Sequence, residues 1–500
     1  SLGEFMNLEK TTKIFGNSID KKTVKKAKKT CKKYLKKFGD DSKTEYHLAL
    51  EENKVLSELG TKNLVLSENP LSELPEKPLI IGNIRMGFGH YRISMAFASC
   101  AKALGYSPIW MDLNSFNKTT CTKIISSQND LYSLGSRLSQ KSKLFNKFYW
   151  EPLNSEGFRK LTYNAVDQAA SSLMTPVFTD IPKDIPFIAT HAWPSQAAIH
   201  AGMKNVLNAI PDNWPMALHL SEGALHAVQT HSSYLGYKVL RGMAGKKVLK
   251  SMKENDIIYT GHYIDHELVS NIEEDCKNRI ERIKTQKPMR FLLTVGGAGA
   301  QGEFFIGIIK SLLPYIKENK ASLFVNVGDH KNVWEAFEKK IPELAQFSKE
   351  GLCKTHFEDF AEVKTFSESL TSNENTDLAK GIHIFYDKDI FSAVYSTNLL
   401  MRISDVLITK PSELAFYPIP KIHIKRVGGH EMWGAIHSAE IGDGTYECET
   451  VESAVAMITE FLEKPEILEK MCNNIVEAKN AGIYNGAYEA IKALAKRGEK

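Results

Sequence analysis

A glycine-rich loop between a predicted strand and a predicted helix is the first segment whose residues are suited to chemistry. Gly87 and Gly89 allow the chain to turn sharply and bring backbone N–H groups near a ligand, and the start of the next helix adds a positive dipole end. Arg85 and Arg92 flank this loop and add positive charge, and His90 is a candidate proton acceptor. The alternative is a tight turn without a ligand, in which His90 only caps the helix.

A second glycine-rich loop follows a later predicted strand. Gly297, Gly299 and Gly302 match the pattern G-x-G-x-x-G, which is typical of dinucleotide-binding enzymes. Such enzymes also carry an acidic residue at the end of the next strand, to hold the ribose. Here that acid, Asp329, comes late and follows a glycine. The loop therefore favours a bound phosphate over a nicotinamide cofactor, and it leaves the oxidoreductase reading open.

A third group of polar residues follows the ends of two further predicted strands. Lys410, Ser412 and Glu413 come after one strand, and His430 and Glu431 come soon after the next. Open α/β sheets bind ligands beyond the carboxyl ends of their strands, so these side chains are candidate ligand contacts. Either acid is equally well explained as an ordinary loop residue or as a residue that favours a helix start.

The elements that must position these residues form two successive units. The pattern strand, glycine loop, helix, strand occurs first over residues 79–113 and again over residues 290–327. Such units build parallel sheets and indicate an α/β fold. Further strands are predicted at 187–190, 216–220, 257–260, 382–385, 406–409 and 421–424. An exposed loop is predicted over 366–377 because Ser, Asn, Glu and Thr dominate there.

Changes in amino-acid composition along the chain predict the domain boundaries. Residues 1–5, before Met6, look like a cloning remnant, and residues 6–75 are a lysine-rich helical extension. The first domain is expected over 76–285 and the second over 286–485, and 486–500 are the end of a C-terminal helix.

The overall composition is that of a soluble globular protein, with 43% apolar and 25% charged residues. No apolar run approaches the roughly 20 residues that span a bilayer. The seven cysteines are scattered and form no C-x-x-C pair, which argues against a disulfide framework or a zinc site. A reducing, cytoplasmic location and the absence of a metal or resident cofactor are the expectations.

One helix has an extreme charge pattern. Lys21–Phe38 contains ten lysines and no acidic residue. Because the net charge of the whole chain is +5, the remaining residues carry a net charge of about −5. Its apolar residues recur at helical spacing and form one stripe. The stripe either packs on the protein itself or places the helix on an anionic membrane surface, to which lysines are attracted. No nucleic-acid motif accompanies the lysines, so nucleic acid is not expected as a partner.

Taken together and in order, these segments resemble the monogalactosyldiacylglycerol synthase family and the related enzymes that add N-acetylglucosamine to the peptidoglycan lipid precursor. The resemblance rests on residues 87–90, 294–302, 405–410 and 429–431 and extends over roughly 79–485. It implies a GT-B fold, in which two Rossmann-like domains face a cleft. It also implies an inverting, metal-independent transfer of sugar from a UDP-type donor to an acceptor hydroxyl, often that of a membrane lipid. Such an acceptor fits the lysine-rich helix, and the two together predict a cytoplasmic enzyme that is peripheral on the inner face of a membrane.

The resemblance also implies roles for individual residues. His90 matches the candidate base, with Gly87 and Gly89 beside it in the acceptor domain. The donor residues are Gly297, Gly299, Gly302, Lys410, Ser412, Glu413, His430 and Glu431, with Glu413 on the ribose and Glu431 on the sugar. The segment from Lys410 to Glu413 is shorter than in the family, and Pro411 and Ser412 stand where the family has glycines. A non-catalytic descendant of the fold and a nucleotide-sugar 2-epimerase are therefore the alternative functions.

Overall fold

A computed structural model describes residues 8–296 and 301–500 and contains two α/β domains, each built on a largely parallel sheet. The first sheet has eight strands in the order β10-β9-β8-β7-β5-β6-β4-β3, and β3 is antiparallel to its neighbour β4. The strands of the first half, including a separate β1–β2 hairpin, are β1 Lys13–Ile14, β2 Asn17–Ser18, β3 His47–Glu52, β4 Lys62–Ser67, β5 Pro78–Asn83, β6 Ser107–Asp112, β7 Phe187–Ala189, β8 Val206–Ala209, β9 Leu225–Val228 and β10 Ile257–Tyr259.

Helices cover both faces of this sheet. The helices of this half of the chain are α1 Glu9–Thr12, α2 Lys21–Phe38, α3 Lys54–Glu58, α4 Gly89–Ala103, α5 Thr120–Lys141, α6 Lys143–Phe145, α7 Leu161–Ser171, α8 Ala192–His200, α9 His231–Lys238, α10 His266–Ser270 and α11 Ile272–Lys284. The last of them, α11, packs on residues 466–480 of the second domain. Shorter turns are the π-helical Asn146–Trp150 and Leu153–Gly157 and the 3-10 segments Ser172–Phe178, Ala217–His219 and Glu254–Asp256. The central strands are buried on both faces, which is why they appear in the sequence as continuous apolar runs.

The second sheet has six parallel strands in the order β13-β14-β12-β11-β15-β16. They are β11 Met289–Thr294, β12 Ala321–Asn326, β13 Cys353–Phe357, β14 Ile382–Tyr386, β15 Val406–Thr409 and β16 Lys421–His423. The helices are α12 Gly302–Lys317, α13 Lys331–Lys340, α14 Glu343–Lys349, α15 Phe360–Ser369, α16 Ile390–Ile403, α17 Met432–Ile441, α18 Val451–Glu463, α19 Glu466–Asn480 and α20 Gly486–Gly498. Short 3-10 turns are Thr376–Ala379, Glu413–Phe416 and Gly429–Glu431.

The two domains are tied together by the end of the chain. Helix α20 leaves the second domain and packs on α4 and β8 of the first. Its residues Leu494 and Arg497 bond there: Asn205 Nδ2 donates to the Leu494 carbonyl at 2.9 Å, and Arg497 Nη1 donates to the Val206 carbonyl at 3.0 Å. Two Rossmann-like domains that face a cleft, with a last helix that returns to the first domain, make a GT-B-like α/β fold.

The predicted lysine-rich helix is present, but the N-terminal segment is more than a helical extension. Strands β3 and β4 lie within residues 6–75 and complete one edge of the first sheet. Helix α2 buries its apolar stripe, Ala27, Cys31 and Leu35, in the core beside α7. The stripe therefore packs on the protein itself, and the lysines face solvent. Within the described residues, no helix is long and apolar enough to cross a membrane.

Two local predictions were wrong. Residues 216–220 do not form a strand, because Asn164 Nδ2 donates to the carbonyls of Ala217 and Leu220 and Asn208 Nδ2 donates to that of His219. These side-chain bonds hold the backbone in a 3-10 turn instead of a ladder. The predicted exposed loop over 366–377 starts too early, since α15 continues to Ser369 and buries Phe366.

Candidate active site

A cavity of about 240 Å³ lies between the two domains, beyond the carboxyl ends of the strands of both sheets. The first domain contributes the glycine loop after β5, one face of α5 and the loop after β8. The second domain contributes the ends of β11 and β15 and the turn at Gly429–Glu431. This is the position at which open α/β sheets bind ligands.

The first glycine loop makes close approaches that require its glycines. Gly87 has a φ of +69°, a left-handed conformation that glycine adopts at little cost. A Cβ on Gly89 would lie 3.0 Å from Glu413 Oε2 of the second domain. Across the cleft, a Cβ on Gly328 would lie 2.6 Å from the ring of Phe88. The loop thus packs directly against the opposite domain.

His90 stands at the start of α4 and lines the cavity. Its Nδ1 lies 2.7 Å from the Thr190 carbonyl, which only accepts hydrogen bonds, so Nδ1 carries the proton and Nε2 keeps its lone pair. Burial lowers the pKa of His90 and outweighs the hydrogen bond to Thr190, which raises it. A neutral imidazole with a fixed tautomer is what a general base requires. The ring of His191 packs edge-on against it, with 4.8 Å between centroids.

Lys410 supplies positive charge on the opposite wall. It follows β15 and lines the cavity, and its Nζ lies 3.9 Å from Glu431 Oε2. The other oxygen of Glu431, Oε1, accepts hydrogen bonds from the N–H groups of Val427 and Gly428, both at 2.9 Å. Glu431 therefore fixes its own turn and faces Lys410 with its second oxygen.

The flanking arginines hold the domains together. Arg85 lies outside the cavity lining and pairs with Asp329 of the second domain. Arg92 is buried and lines the cavity, but its guanidinium points across the boundary. Its Nε donates to Glu413 Oε1 at 3.0 Å, and Nη1 donates to Asn398 Oδ1 at 2.8 Å and to the Val394 carbonyl at 2.9 Å. In this conformation Glu413 is bound to an arginine.

The remaining predicted residues have mixed positions. Gly297 and Gly299 lie outside the described residues. Gly302 begins α12 and stands apart from the cavity lining, whereas Gln301 just before it is part of that lining. Ser412 lines the cavity and caps the turn Glu413–Phe416 by accepting from the Leu414 N–H.

The cavity residues that the sequence analysis missed include Asp212 and His219. Asp212, in the loop after β8, accepts a hydrogen bond from His219 Nε2 at 2.6 Å. The predicted residue His430 lies on the other side of it, with Nε2 3.8 Å from Asp212 Oδ1. Burial raises the pKa of Asp212, but the charge of His430 and the bond from His219 outweigh burial and lower it well below its ordinary value. Asp212 is therefore an ionised carboxylate among imidazoles.

The cleft is in a closed conformation. Trp214 and Trp433 stack across it with 4.9 Å between centroids and 7° between planes. Arg426 Nη2 of the second domain lies 3.0 Å from Glu151 Oε1 of the first. Ligand pockets in proteins usually measure about 300–1,000 Å³, so the cavity is small for a whole nucleotide sugar. Separation of the two domains would enlarge the cavity for a ligand of that size.

The chain matches two protein-family models, and both describe domains of unknown function. Residues 13–239 match the model described as a domain of unknown function, DUF6937, and residues 252–495 match a second one, DUF6938. No functionally curated protein matches the sequence.

Solved structures with a similar architecture include one complex with UDP and two with a UDP-sugar. UDP-GlcNAc 2-epimerase from Neisseria meningitidis, bound to UDP-GlcNAc, is 14% identical over 84% of this chain and 100% of its own, with a TM-score of 0.45. S. aureus MnaA with UDP is 12% identical over 84% and 94%, with a TM-score of 0.42. An E. coli structure described as trehalose-6-phosphate bound with UDP-2-fluoro glucose is 9% identical over 85% and 99%, with a TM-score of 0.40. At these TM-scores none of the three indicates what this chain binds, and what stands is a GT-B-like fold whose two halves each match a domain model of unknown function.

Proposed function

We propose that this protein is an inverting glycosyltransferase that moves a sugar from a UDP-type nucleotide sugar to an acceptor hydroxyl. The proposal rests on the observation that His90 lines one wall of the cavity and Lys410 lines the other. A base and a cation that face one cavity are the two groups that a displacement at a sugar phosphate requires. The UDP-type donor is what the family resemblance of the sequence implies.

The reaction would take place in one displacement. His90 Nε2 takes the proton of the acceptor hydroxyl while the oxygen forms a bond to the anomeric carbon of the sugar. The bond from that carbon to the diphosphate oxygen breaks, and the electron pair leaves with the diphosphate. Lys410 stabilises the charge that develops on this leaving group.

Nucleotide binding tests the proposal without knowledge of the acceptor. We expect UDP to raise the melting temperature of the protein, because a ligand that binds only the folded state adds about 2.7 kcal/mol at 100 times its Kd. Differential scanning fluorimetry with UDP, ADP and several nucleotide sugars measures this. The absence of a shift with every nucleotide and nucleotide sugar in the panel would remove the proposal.

The acceptor is proposed to come from a membrane, at its cytoplasmic face. Leu131, Leu134 and Leu138 are exposed on one face of α5, and Leu144 and Phe148 just beyond it are each 71% exposed. The segment 131–149 contains Arg137, Lys141, Lys143 and Lys147 and no acidic residue. The opposite face of α5 lines the cavity. An apolar and basic surface next to the cleft fits an anionic bilayer, and the solvent-facing lysines of Lys21–Phe38 lie on the neighbouring helix.

Vesicle binding tests this part. We expect the protein to sediment with vesicles that contain phosphatidylserine at low salt, and to sediment less in high salt because the attraction is screened. The double variant Leu144→Glu and Phe148→Glu should lose most of the binding. Leu378→Glu, at an exposed leucine of the second domain, is the matched control. Equal binding by both variants would contradict a membrane contact through 131–149.

Two other functions remain as candidates. A 2-epimerase is favoured by the presence of two separate groups, His90 and the Asp212–His219 pair, that can exchange protons in the same cavity. Conversion of UDP-GlcNAc to its C2 epimer without any acceptor would establish it.

A non-catalytic protein is favoured by the Arg92–Glu413 pair, because Arg92 occupies the carboxylate that is expected to bind the ribose. The nucleotide panel above separates this last case from both enzymes.

A further inference from the structure

The loop after β8 contributes a carboxylate to the cavity that the proposed reaction does not yet use. Asp212 and His219 both line the cavity and are joined by a hydrogen bond of 2.6 Å. The carboxylate of Asp212 is 28% exposed, so it faces the cavity while its second oxygen is held by His219. His430 approaches the first oxygen to 3.8 Å from the other domain.

We infer that Asp212 is a positioning residue that stabilises the protonated form of His90, and that His219 and His430 hold its carboxylate from the two sides of the cleft. This inference rests on the proposed function. When His90 takes the acceptor proton, a positive charge appears in a site that burial has made unfavourable for it. A fixed carboxylate in the same cavity offsets this cost, whereas Lys410 on the opposite wall serves the negative diphosphate.

The groups around the two residues determine the direction of the effect. The titratable and charged groups that face Asp212 are His90 on α4, Tyr132 on α5, His219 in its own loop, Tyr237 on α9 and His430 of the second domain. Those that face His90 are His191, His219, Asp212 and Glu413. The negative charge of Asp212 favours the imidazolium, and the charge of His219 opposes it. Removal of the Asp212 charge should therefore lower the pKa of His90.

His430 adds a link between charge and domain closure. It belongs to the second domain, so it reaches Asp212 only when the cleft is closed. Its Nδ1 is buried without a hydrogen-bond partner among the described residues. The cavity thus brings Asp212 together with one imidazole from each domain, His219 from the first and His430 from the second.

Histidine NMR titration tests the inference without any nucleotide sugar. The His90 signal is assigned by its loss in His90→Gln, and its pKa is then compared between the wild type and Asp212→Asn. We expect the pKa of His90 to fall by about 0.5–1 pH unit in Asp212→Asn, since loss of a nearby opposite charge disfavours the charged form. Asp184→Asn, at an exposed aspartate of the same domain, should leave it unchanged.

A second variant and a kinetic readout separate this role from a structural one. His219→Gln retains the carboxylate and removes the imidazole, so it should not lower the pKa of His90 as Asp212→Asn does. If transfer is detected, the acid limb of the pH–rate profile should move to lower pH in Asp212→Asn and the maximal rate should fall about tenfold. An unchanged His90 pKa in a folded Asp212→Asn protein would overturn the inference, and would leave the glycosyltransferase proposal to the nucleotide-binding test.

Discussion

Replacement of His90 by glutamine is expected to lower the turnover number by about 10²–10⁴-fold, which is the usual contribution of a general base. The variant should still bind UDP, because the substitution changes the first-domain wall of the cavity, and the proposed diphosphate contact, Lys410, lies on the opposite wall. Turnover is measured as release of UDP from the nucleotide sugar in the presence of acceptor, and binding is measured by the melting temperature. Loss of transfer with retained nucleotide binding is the combination that a base, but not a structural residue, produces.

The pH dependence of the wild type follows from the same residue. Burial lowers the pKa of His90, so the imidazole is neutral at pH 7 and the rate should be constant through neutral pH. The rate should fall when the pH drops below that lowered pKa, because the imidazolium has no lone pair to accept the acceptor proton. His231→Gln, at an exposed histidine outside the cavity lining, is the matched control. Full activity of His90→Gln would show that His90 is only a capping residue.

Replacement of Lys410 by methionine is expected to weaken UDP binding by about 1.5–3 kcal/mol, the usual contribution of a hydrogen bond to a charged group. Methionine keeps most of the aliphatic stem, which packs near Gly296, and removes only the charge. Glu431 remains satisfied in the variant, because the Val427 and Gly428 N–H groups hold its Oε1. A loss of UDP affinity in Lys410→Met would therefore reflect a lost contact with the ligand, and not a disturbance caused by an unpaired Glu431.

The control for Lys410→Met lies in the same domain. Lys380 is exposed and remote from the cavity lining, so Lys380→Met should bind UDP as the wild type does. Dissociation constants from fluorescence or calorimetric titration compare the two variants directly. Equal affinities would mean that the diphosphate, if it binds at all, does so away from Lys410.

The closed cleft determines how a donor enters. Contacts across it include the ion pairs of Arg85 with Asp329, Arg92 with Glu413 and Arg426 with Glu151, and one pair of stacked tryptophans. Exposed ion pairs contribute little free energy, whereas separation of the buried Arg92 from Glu413 would leave a buried charge without its partner unless water or a ligand replaces it. Opening would release Glu413 from Arg92 and make its carboxylate available to a ribose. The Arg92–Glu413 pair is therefore compatible with a donor site that forms after the domains separate.

Much of the fold was predictable because its central strands are continuous apolar runs. The strands β5, β6, β11, β12 and β15 are fully or almost fully buried, and the predicted ranges 79–113, 290–327 and 406–409 begin and end within one residue of the observed strand bounds. Two of the missed strands, β3 and β13, lie at the edges of their sheets, whereas β4, β8 and β9 lie inside the first sheet. β3 ends in Glu51 and Glu52, and β13 contains a lysine and a histidine, so neither shows an apolar run. Partial burial weakens the sequence signal of a strand.

The site was predictable where its residues follow predicted strands. His90 and Lys410 were found because they come directly after β5 with its glycine loop and after β15. Asp212 and His219 were missed because β8 was not predicted, and the loop after it was taken for a strand. The segment 206–210, apolar except for Asn208 and followed by Pro211 and Asp212, was the available signal. The cross-cleft role of Arg92 depends on the docking of the two domains, about which local patterns carry no information.

The central claim is that the cavity between the domains binds a nucleoside diphosphate. Calorimetric titration of the intact protein with UDP tests this claim most directly. We predict saturable binding at a single site per chain, with affinity reduced in Lys410→Met and retained in His90→Gln. The absence of any binding heat at millimolar UDP, or identical binding by the wild type and Lys410→Met, would contradict the claim.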